Sequence, residues 1–98
     1  MKDKNTIYRP VGRIVVRRIG EDRLLVPVSG LASQERAIFP INESGLFVWE
    51  HLSEGHDLEQ TVQAMLREFD TDAERAQADC EQYANQLVEQ KLLETVSE

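Results

Sequence analysis

The hydrophobic positions of this chain change their spacing near residue 42. Before that point they lie in two short runs of similar length, 13–19 and 23–28, the first of which is rich in β-branched residues, and such runs are typical of strands. Gly20, Glu21 and Asp22 separate the two runs and supply a turn, so these residues predict a β-hairpin. A polar loop over 29–36 follows, and the apolar run 37–41 predicts a short third strand.

Pro40 restricts where this third strand can lie. Proline has no N–H to donate to a ladder, so the strand belongs at the edge of the sheet or at its end. If Pro40 faces the hairpin, Phe39 and Ile41 present their backbone groups outward. If Pro40 faces outward, the free ladder is shorter. Phe39 is a large apolar residue on this edge and must either turn inward or face a partner.

From residue 42 onward the spacing of three and four predicts three helices. Asn42 is a capping residue for a helix from Glu43 to about Leu52, and Gly55 suits the stop after it. Asp57 and Gln60 have capping-box spacing before a second helix. Residues 71–74 repeat that pattern before a third helix, from Ala73 to about residue 90. We expect the aromatic residues at helical spacing to lie in the core, namely Phe47, Trp49, Phe69 and Tyr83.

Three strands followed by three helices predict an α+β fold, winged-helix-like, with the helices on one side of a three-stranded antiparallel sheet. We expect one domain over residues 7–94, with flexible tails at 1–6 and 95–98. A chain of 98 residues buries one modest core, which excludes large enzyme architectures.

The charge of the chain is divided between its two halves. Residues 1–41 carry eight basic residues against four acidic ones, a net +4, whereas residues 42–98 carry three against fourteen, a net −11. The single cysteine cannot form an internal disulfide, and neither a signal peptide nor a membrane-spanning run is present. We therefore expect a cytoplasmic protein that does not bind membranes.

The sequence offers no convincing catalytic or metal-binding cluster. His51 and His56 lie on either side of Gly55 and should not share a helical face, so surface histidines are the better interpretation. Cys80 lies on the apolar stripe of an acidic helix, which favours a buried packing thiol over a nucleophile. We therefore expect neither an enzyme nor a cofactor.

The second and third helices could form a helix-turn-helix beside a wing, which suggests DNA binding. The third helix, however, carries four acidic residues against Arg75 alone, and such a surface loses the counterion-release contribution to affinity. We therefore expect no nucleic-acid partner. An acidic winged-helix adaptor that contacts a protein through its charged helices stays open as the alternative function.

Residues 40–52, PINESGLFVWEHL, place a short strand with an apolar-Asn-Glu step before a helix with a Trp-x-x-Leu stripe. An acidic-Gly turn at 53–55, a helix from Asp57, an acidic Phe-Asp segment at 69–72 and a closing Leu-x-x-x-x-Leu-Leu at 87–93 follow in order. This succession resembles PqqD-like proteins over about residues 11–94. The polar loop at 29–36 is longer than the tight turn expected there.

The resemblance implies a RiPP recognition element. Such a module captures the leader of a ribosomally synthesised precursor peptide and presents it to a modifying enzyme, often a radical S-adenosylmethionine (radical SAM) enzyme, without catalysing a reaction itself. It also implies that the leader adds as a strand beside the third strand, in the groove formed with the third helix.

The residues themselves suit that function, because a free edge strand can bind an extended peptide by β-augmentation. Tyr83 and Leu87 could form the other wall of the groove, or they could simply pack on the sheet. The predicted peptide-binding residues on the strand and the helix are Ala37, Ile38, Phe39, Ile41, Tyr83, Leu87, Gln90 and Lys91.

Overall fold

The computed structural model describes residues 6–29 and 38–96, and these ranges contain five strands and three helices. In chain order they are β1 (Tyr8–Pro10), β2 (Ile14–Ile19), β3 (Asp22–Pro27), β4 (Phe39–Ile41), α1 (Glu43–Ser53), α2 (Leu58–Glu68), α3 (Ala73–Glu89) and β5 (Leu93–Thr95). The α+β class is confirmed, with a three-stranded antiparallel sheet followed by three helices.

The main sheet has the strand order β2-β3-β4, and both neighbouring pairs are antiparallel. Ile19 pairs with Asp22, so the hairpin turn has only two residues, Gly20 and Glu21. Gly20 has φ 62°, and a positive φ at the first central position is what a type II′ turn requires. The predicted hairpin is therefore present, and Gly20 provides the backbone conformation that its turn requires.

Each helix begins at an aspartate or asparagine cap. The side chain of Asn42 accepts a hydrogen bond from the Gly45 N–H, and Asp57 and Gln60 form a reciprocal capping box on α2. At α3 the cap is Asp72, which accepts from the Arg75 N–H. These caps satisfy N–H groups that have no partner inside the helix, and they place the three starts where the sequence predicted them.

The core lies between the helices and one face of the main sheet. Leu25 is fully buried at the centre of β3, and Ile41 is buried on the same face of β4. The helices cover these residues with apolar side chains, among them Leu46, Trp49, Leu52, Met65 and Leu87. Of the four aromatic residues expected in the core, Trp49 is buried. The other three, Phe47, Phe69 and Tyr83, are half-buried and pack against the core.

Strands β1 and β5 form a second sheet that the sequence analysis did not predict. Tyr8 pairs with Thr95, the Val11 N–H donates to the Leu92 carbonyl at 2.9 Å, and the Val96 N–H donates to the Ile7 carbonyl at 2.8 Å. The pairing extends past residue 94 into the segment expected to be a tail. Each strand has only three residues and their partners are more than eighty positions apart, so local patterns carried no sign of it.

The helices in the described part of the chain are all too short or too polar to cross a lipid bilayer.

Candidate peptide-binding edge

Strand β4 lies at one edge of the main sheet. It pairs with β3 through Arg23–Ile41, Leu24–Pro40 and Leu25–Phe39, and no other described strand pairs with its outer side. Phe39 is half-buried and Ile41 is buried, whereas Pro40 between them is exposed. The edge thus combines an anchored inner face with an outer rim that is open among the described residues.

Proline chemistry determines which backbone groups face that rim. Directly opposed residues in an antiparallel pair alternate between exchanging two hydrogen bonds and exchanging none. Pro40 has no N–H, so Leu24–Pro40 is the pair without bonds, and Phe39 and Ile41 bond inward to β3. The outward-facing residues are therefore Ile38, Pro40 and Asn42. This is the second of the two arrangements expected for Pro40, the one with the shorter free ladder.

Helix α3 approaches this edge through Tyr83. The phenol of Tyr83 donates a 2.8 Å hydrogen bond to Oδ1 of Asn42, the residue that follows β4. The same Oδ1 accepts the 2.8 Å cap bond from the Gly45 N–H. Gly45 has no room for a side chain, because a Cβ there would lie 2.6 Å from Cγ1 of Ile41 and 2.8 Å from Cε1 of Tyr83. The end of β4, the start of α1 and the middle of α3 therefore meet in one tight contact.

The other predicted binding residues are less closely grouped. Ile38 is 56% exposed beside the rim, whereas Leu87 has none of its surface exposed and packs in the core. Gln90 is the C-cap of α3, and Lys91 follows it with φ 63°. Both lie about 10 Å along the helix axis from Tyr83, given a rise of about 1.5 Å per residue. The structure thus brings Ile41 and Tyr83 together beside Gly45, with Phe39 on the same strand as Ile41. It buries Leu87 below the surface, while Ala37 lies outside the described residues.

Sequence reasoning identified Asn42 only as a helix cap and missed its place in the site. The residue type gave the capping role, but the bond to Tyr83 joins positions 41 residues apart and has no local signature. Gly45 was missed for the same reason, since its crowding comes from Ile41 and Tyr83 together.

A groove of about 520 Å³ continues beyond the end of β4. The hairpin turn and the start of α1 contribute three carboxylates to it, and the only basic residue among its lining residues is Arg23. The residues that line it are Glu21, Asp22, Arg23, Leu24, Pro40, Ile41, Asn42 and Glu43. An extended segment lying along β4 would therefore leave the rim past a predominantly acidic surface.

The structure gives the cysteine and the two histidines no arrangement typical of a catalytic or metal site within the described residues. Burial raises the pKa of the Cys80 thiol to about 12, and the carboxylates of Asp79 and Glu81 act in the same direction, so the thiol stays protonated at neutral pH. His51 and His56 each donate from Nδ1 to a backbone carbonyl, of Phe47 and His51 respectively. Over residues 6–29 and 38–96, no group of three or more potential metal ligands is close enough to hold an ion.

Residues 29–93 match the family described as Coenzyme PQQ synthesis protein D (PqqD), which is about two-thirds of the chain. The chain belongs to the PqqD family. This confirms the resemblance carried by residues 40–52 and the segments after them. No curated protein matches the sequence significantly.

Two solved structures share the fold. One is TbiB1 in complex with the TbiA(beta) leader peptide, at 22% identity and a TM-score of 0.72, covering 92% of this chain and 99% of that one. The other is a lasso peptide synthetase B1 complexed with the leader peptide, at 16% identity and a TM-score of 0.74, covering 89% and 96%. The PqqD-family domain described above is therefore similar in fold, over nearly its whole length, to two proteins seen with leader peptides bound.

Proposed function

We propose that this PqqD-family protein is a non-catalytic, cytoplasmic recognition domain that binds the leader of a ribosomally synthesised precursor peptide. The observation that carries the proposal is the open rim of β4 next to Tyr83 of α3. The leader adds to this rim as a further antiparallel or parallel strand, and Tyr83 forms the helical wall of its groove. Membership of the PqqD family and the two leader-bound structures of similar fold support this function.

The chemistry of the rim suits a main-chain ligand. An edge strand offers backbone donors and acceptors to any extended segment, so affinity comes from the ladder and specificity from side-chain contacts. On this rim the Ile38 backbone offers both kinds of group, Pro40 offers a carbonyl alone, and Asn42 offers an N–H, since its carbonyl bonds to the Leu46 N–H. Ile38 is 56% exposed, and its side chain gains burial when a strand lies alongside it.

We further propose that the bound leader presents its core to a maturation enzyme, with a radical SAM enzyme as the first candidate. This step rests on the resemblance to PqqD-like proteins. In this arrangement the domain holds the substrate and the partner enzyme carries out the reaction.

The test uses synthetic leaders from short reading frames next to the gene, titrated by calorimetry and by NMR of the ¹⁵N-labelled protein. We expect micromolar or tighter binding, with the largest shifts at Ile38, Asn42 and Tyr83. Two matched peptide sets are N-methylated at either the even or the odd backbone positions. Strand addition predicts that one set loses binding and the other keeps it, because only alternate N–H groups face β4. Equal binding by both sets, or no binding at all, would contradict the proposal.

A second candidate function is an acidic adaptor that binds a protein through its charged helices. The observation in its favour is the exposed acidic surface of α3, where Glu74, Glu81 and Glu89 are all exposed. Salt separates the two functions. Binding through the β4 rim should change little between low and physiological salt, whereas docking led by charge should weaken steeply.

A further inference from the structure

Asn42 lies where the ladder of the β4 rim becomes poor in donors. Ile38, Pro40 and Asn42 face outward, and the middle one has no N–H. The backbone carbonyl of Asn42 already accepts the 2.9 Å bond from the Leu46 N–H in α1. A strand added here would meet the Pro40 carbonyl as an acceptor and the Asn42 N–H as a donor, but the carbonyl of the strand that lies opposite Pro40 would find no backbone donor. A buried main-chain carbonyl without a donor would weaken binding.

The side chain of Asn42 is oriented by its two hydrogen bonds. Oδ1 accepts from the Gly45 N–H and from the Tyr83 phenol, each at 2.8 Å, which uses both lone pairs of the amide oxygen. Rotating the amide by 180° would place its NH₂ group against the Gly45 N–H, which cannot accept. The two bonds therefore fix which end of the amide points away from the helix start.

The Nδ2 group is available as a donor at the rim. Asn42 is exposed, and Nδ2 makes no hydrogen bond to any residue in the described ranges. Asn42 directly follows Ile41, so its side chain lies at the end of the ladder that Pro40 interrupts. Because both lone pairs of Oδ1 are used within the protein, Nδ2 is the part of this exposed side chain that is left to bond a ligand.

We propose that the side-chain amide of Asn42 donates a hydrogen bond to a main-chain carbonyl of the captured leader, replacing the donor that Pro40 lacks. This inference rests on the proposed function and adds a binding residue to it. Tyr83 is then a positioning residue, because its phenol holds Oδ1 and so aims Nδ2 at the peptide. The site selects an extended segment that brings a backbone carbonyl without another partner to Nδ2 of Asn42. A proline-rich helical ligand would not place a carbonyl there.

The sharpest test is Asn42→Asp, which replaces the NH₂ group with an oxygen of nearly the same size. The new carboxylate still accepts from the Gly45 N–H and from Tyr83, and aspartate caps helices as well as asparagine does. We therefore expect an unchanged melting temperature and a Kd for the leader about tenfold higher. Asn42→Ser keeps a capping oxygen without adding charge, and we expect it to weaken binding to a similar extent.

A double-mutant cycle with Tyr83→Phe separates positioning from direct contact. We expect Tyr83→Phe to raise the Kd about threefold in the wild-type background and to have no effect in Asn42→Asp, because the amide it orients is gone. In the wild-type protein, NMR should show the Asn42 side-chain NH₂ protons moving downfield when the leader binds.

The outcomes are distinct. If the wild-type protein binds no leader, the proposed function is wrong and this inference falls with it. If the wild-type protein binds and both Asn42 variants bind within twofold of it, the inference alone is wrong. If Tyr83→Phe raises the Kd equally in the wild-type and Asn42→Asp backgrounds, the positioning role of Tyr83 is wrong.

Discussion

Replacing Gly45 with alanine tests how tightly the candidate site is built. Gly45 lies in the first turn of α1, and its φ is not in the left-handed region, so alanine fits the backbone there. The added Cβ would lie 2.6 Å from Cγ1 of Ile41 and 2.8 Å from Cε1 of Tyr83. Ile41 is buried, and the Tyr83 ring is tethered by its bond to Asn42, so neither side chain moves aside freely.

Two opposing effects set the size of the change. Glycine to alanine in a helix stabilises by about 1 kcal/mol, whereas overpacking a filled site costs about 1–3 kcal/mol. Since both contacts are shorter than normal packing allows and involve constrained side chains, we place the cost at about 2–3 kcal/mol. The net destabilisation is then about 1–2 kcal/mol, which lowers the melting temperature of a domain this size by about 5–10 °C.

Thermal and urea unfolding of Gly45→Ala would measure this change, with Ser44→Ala in the same helical turn as the matched control. The control adds no atom near Ile41 or Tyr83 and should be neutral or slightly stabilising. Truncating Ile41 to alanine should make Gly45→Ala less harmful, because the closest clash is removed. If Gly45→Ala stabilises the protein by about 1 kcal/mol, as at an uncrowded helix position, the contact between β4, α1 and α3 is not as tight as described.

Three further predictions concern the cap of α2, alkaline pH and the rim. Asp57→Ala removes the capping-box oxygen and should lower the free energy of unfolding in urea by about 1 kcal/mol while leaving leader affinity unchanged. A loss of leader affinity with no loss of stability would show that the cap of α2 acts on binding instead. Burial raises the pKa of Cys80 from 9.0 to about 12 and that of Tyr8 from 10.0, so the folded state holds these protons more tightly. Stability should therefore be complete below pH 9 and fall as the pH rises from 9 towards 12, with Cys80→Ala showing a shallower fall; a flat profile would contradict it. Pro40→Ala restores an N–H to the rim and should tighten leader binding, most clearly when combined with Asn42→Asp; unchanged affinity in both backgrounds would show that the rim does not face the peptide at Pro40.

Local patterns were sufficient for the helices and for the hairpin. The caps at Asn42 and Asp57 act on groups three residues away, so their effect is encoded within one turn. The hairpin depends on a glycine between two short apolar runs, and its turn needs the positive φ that Gly20 provides. These elements follow from interactions that the sequence displays side by side.

The features that were missed, or left open between two alternatives, depend on distant contacts. Strands β1 and β5 are too short to show a pattern, and they exist because Tyr8 and Leu93 are buried against the same core. Leu87 lies on the helix face expected to line the groove, yet the packing around it leaves no surface exposed. Periodicity gives the apolar face of a helix, but how deeply each residue on that face is buried depends on the neighbouring elements.

The pairing of β1 with β5 brings the two ends of the described chain together. Tyr8 lies opposite Thr95, so a segment attached before β1 and one attached after β5 leave the domain side by side. Neither strand takes part in the β2-β3-β4 sheet. A short peptide connecting the two ends should therefore yield a circular protein that keeps the β2-β3-β4 sheet and its leader affinity.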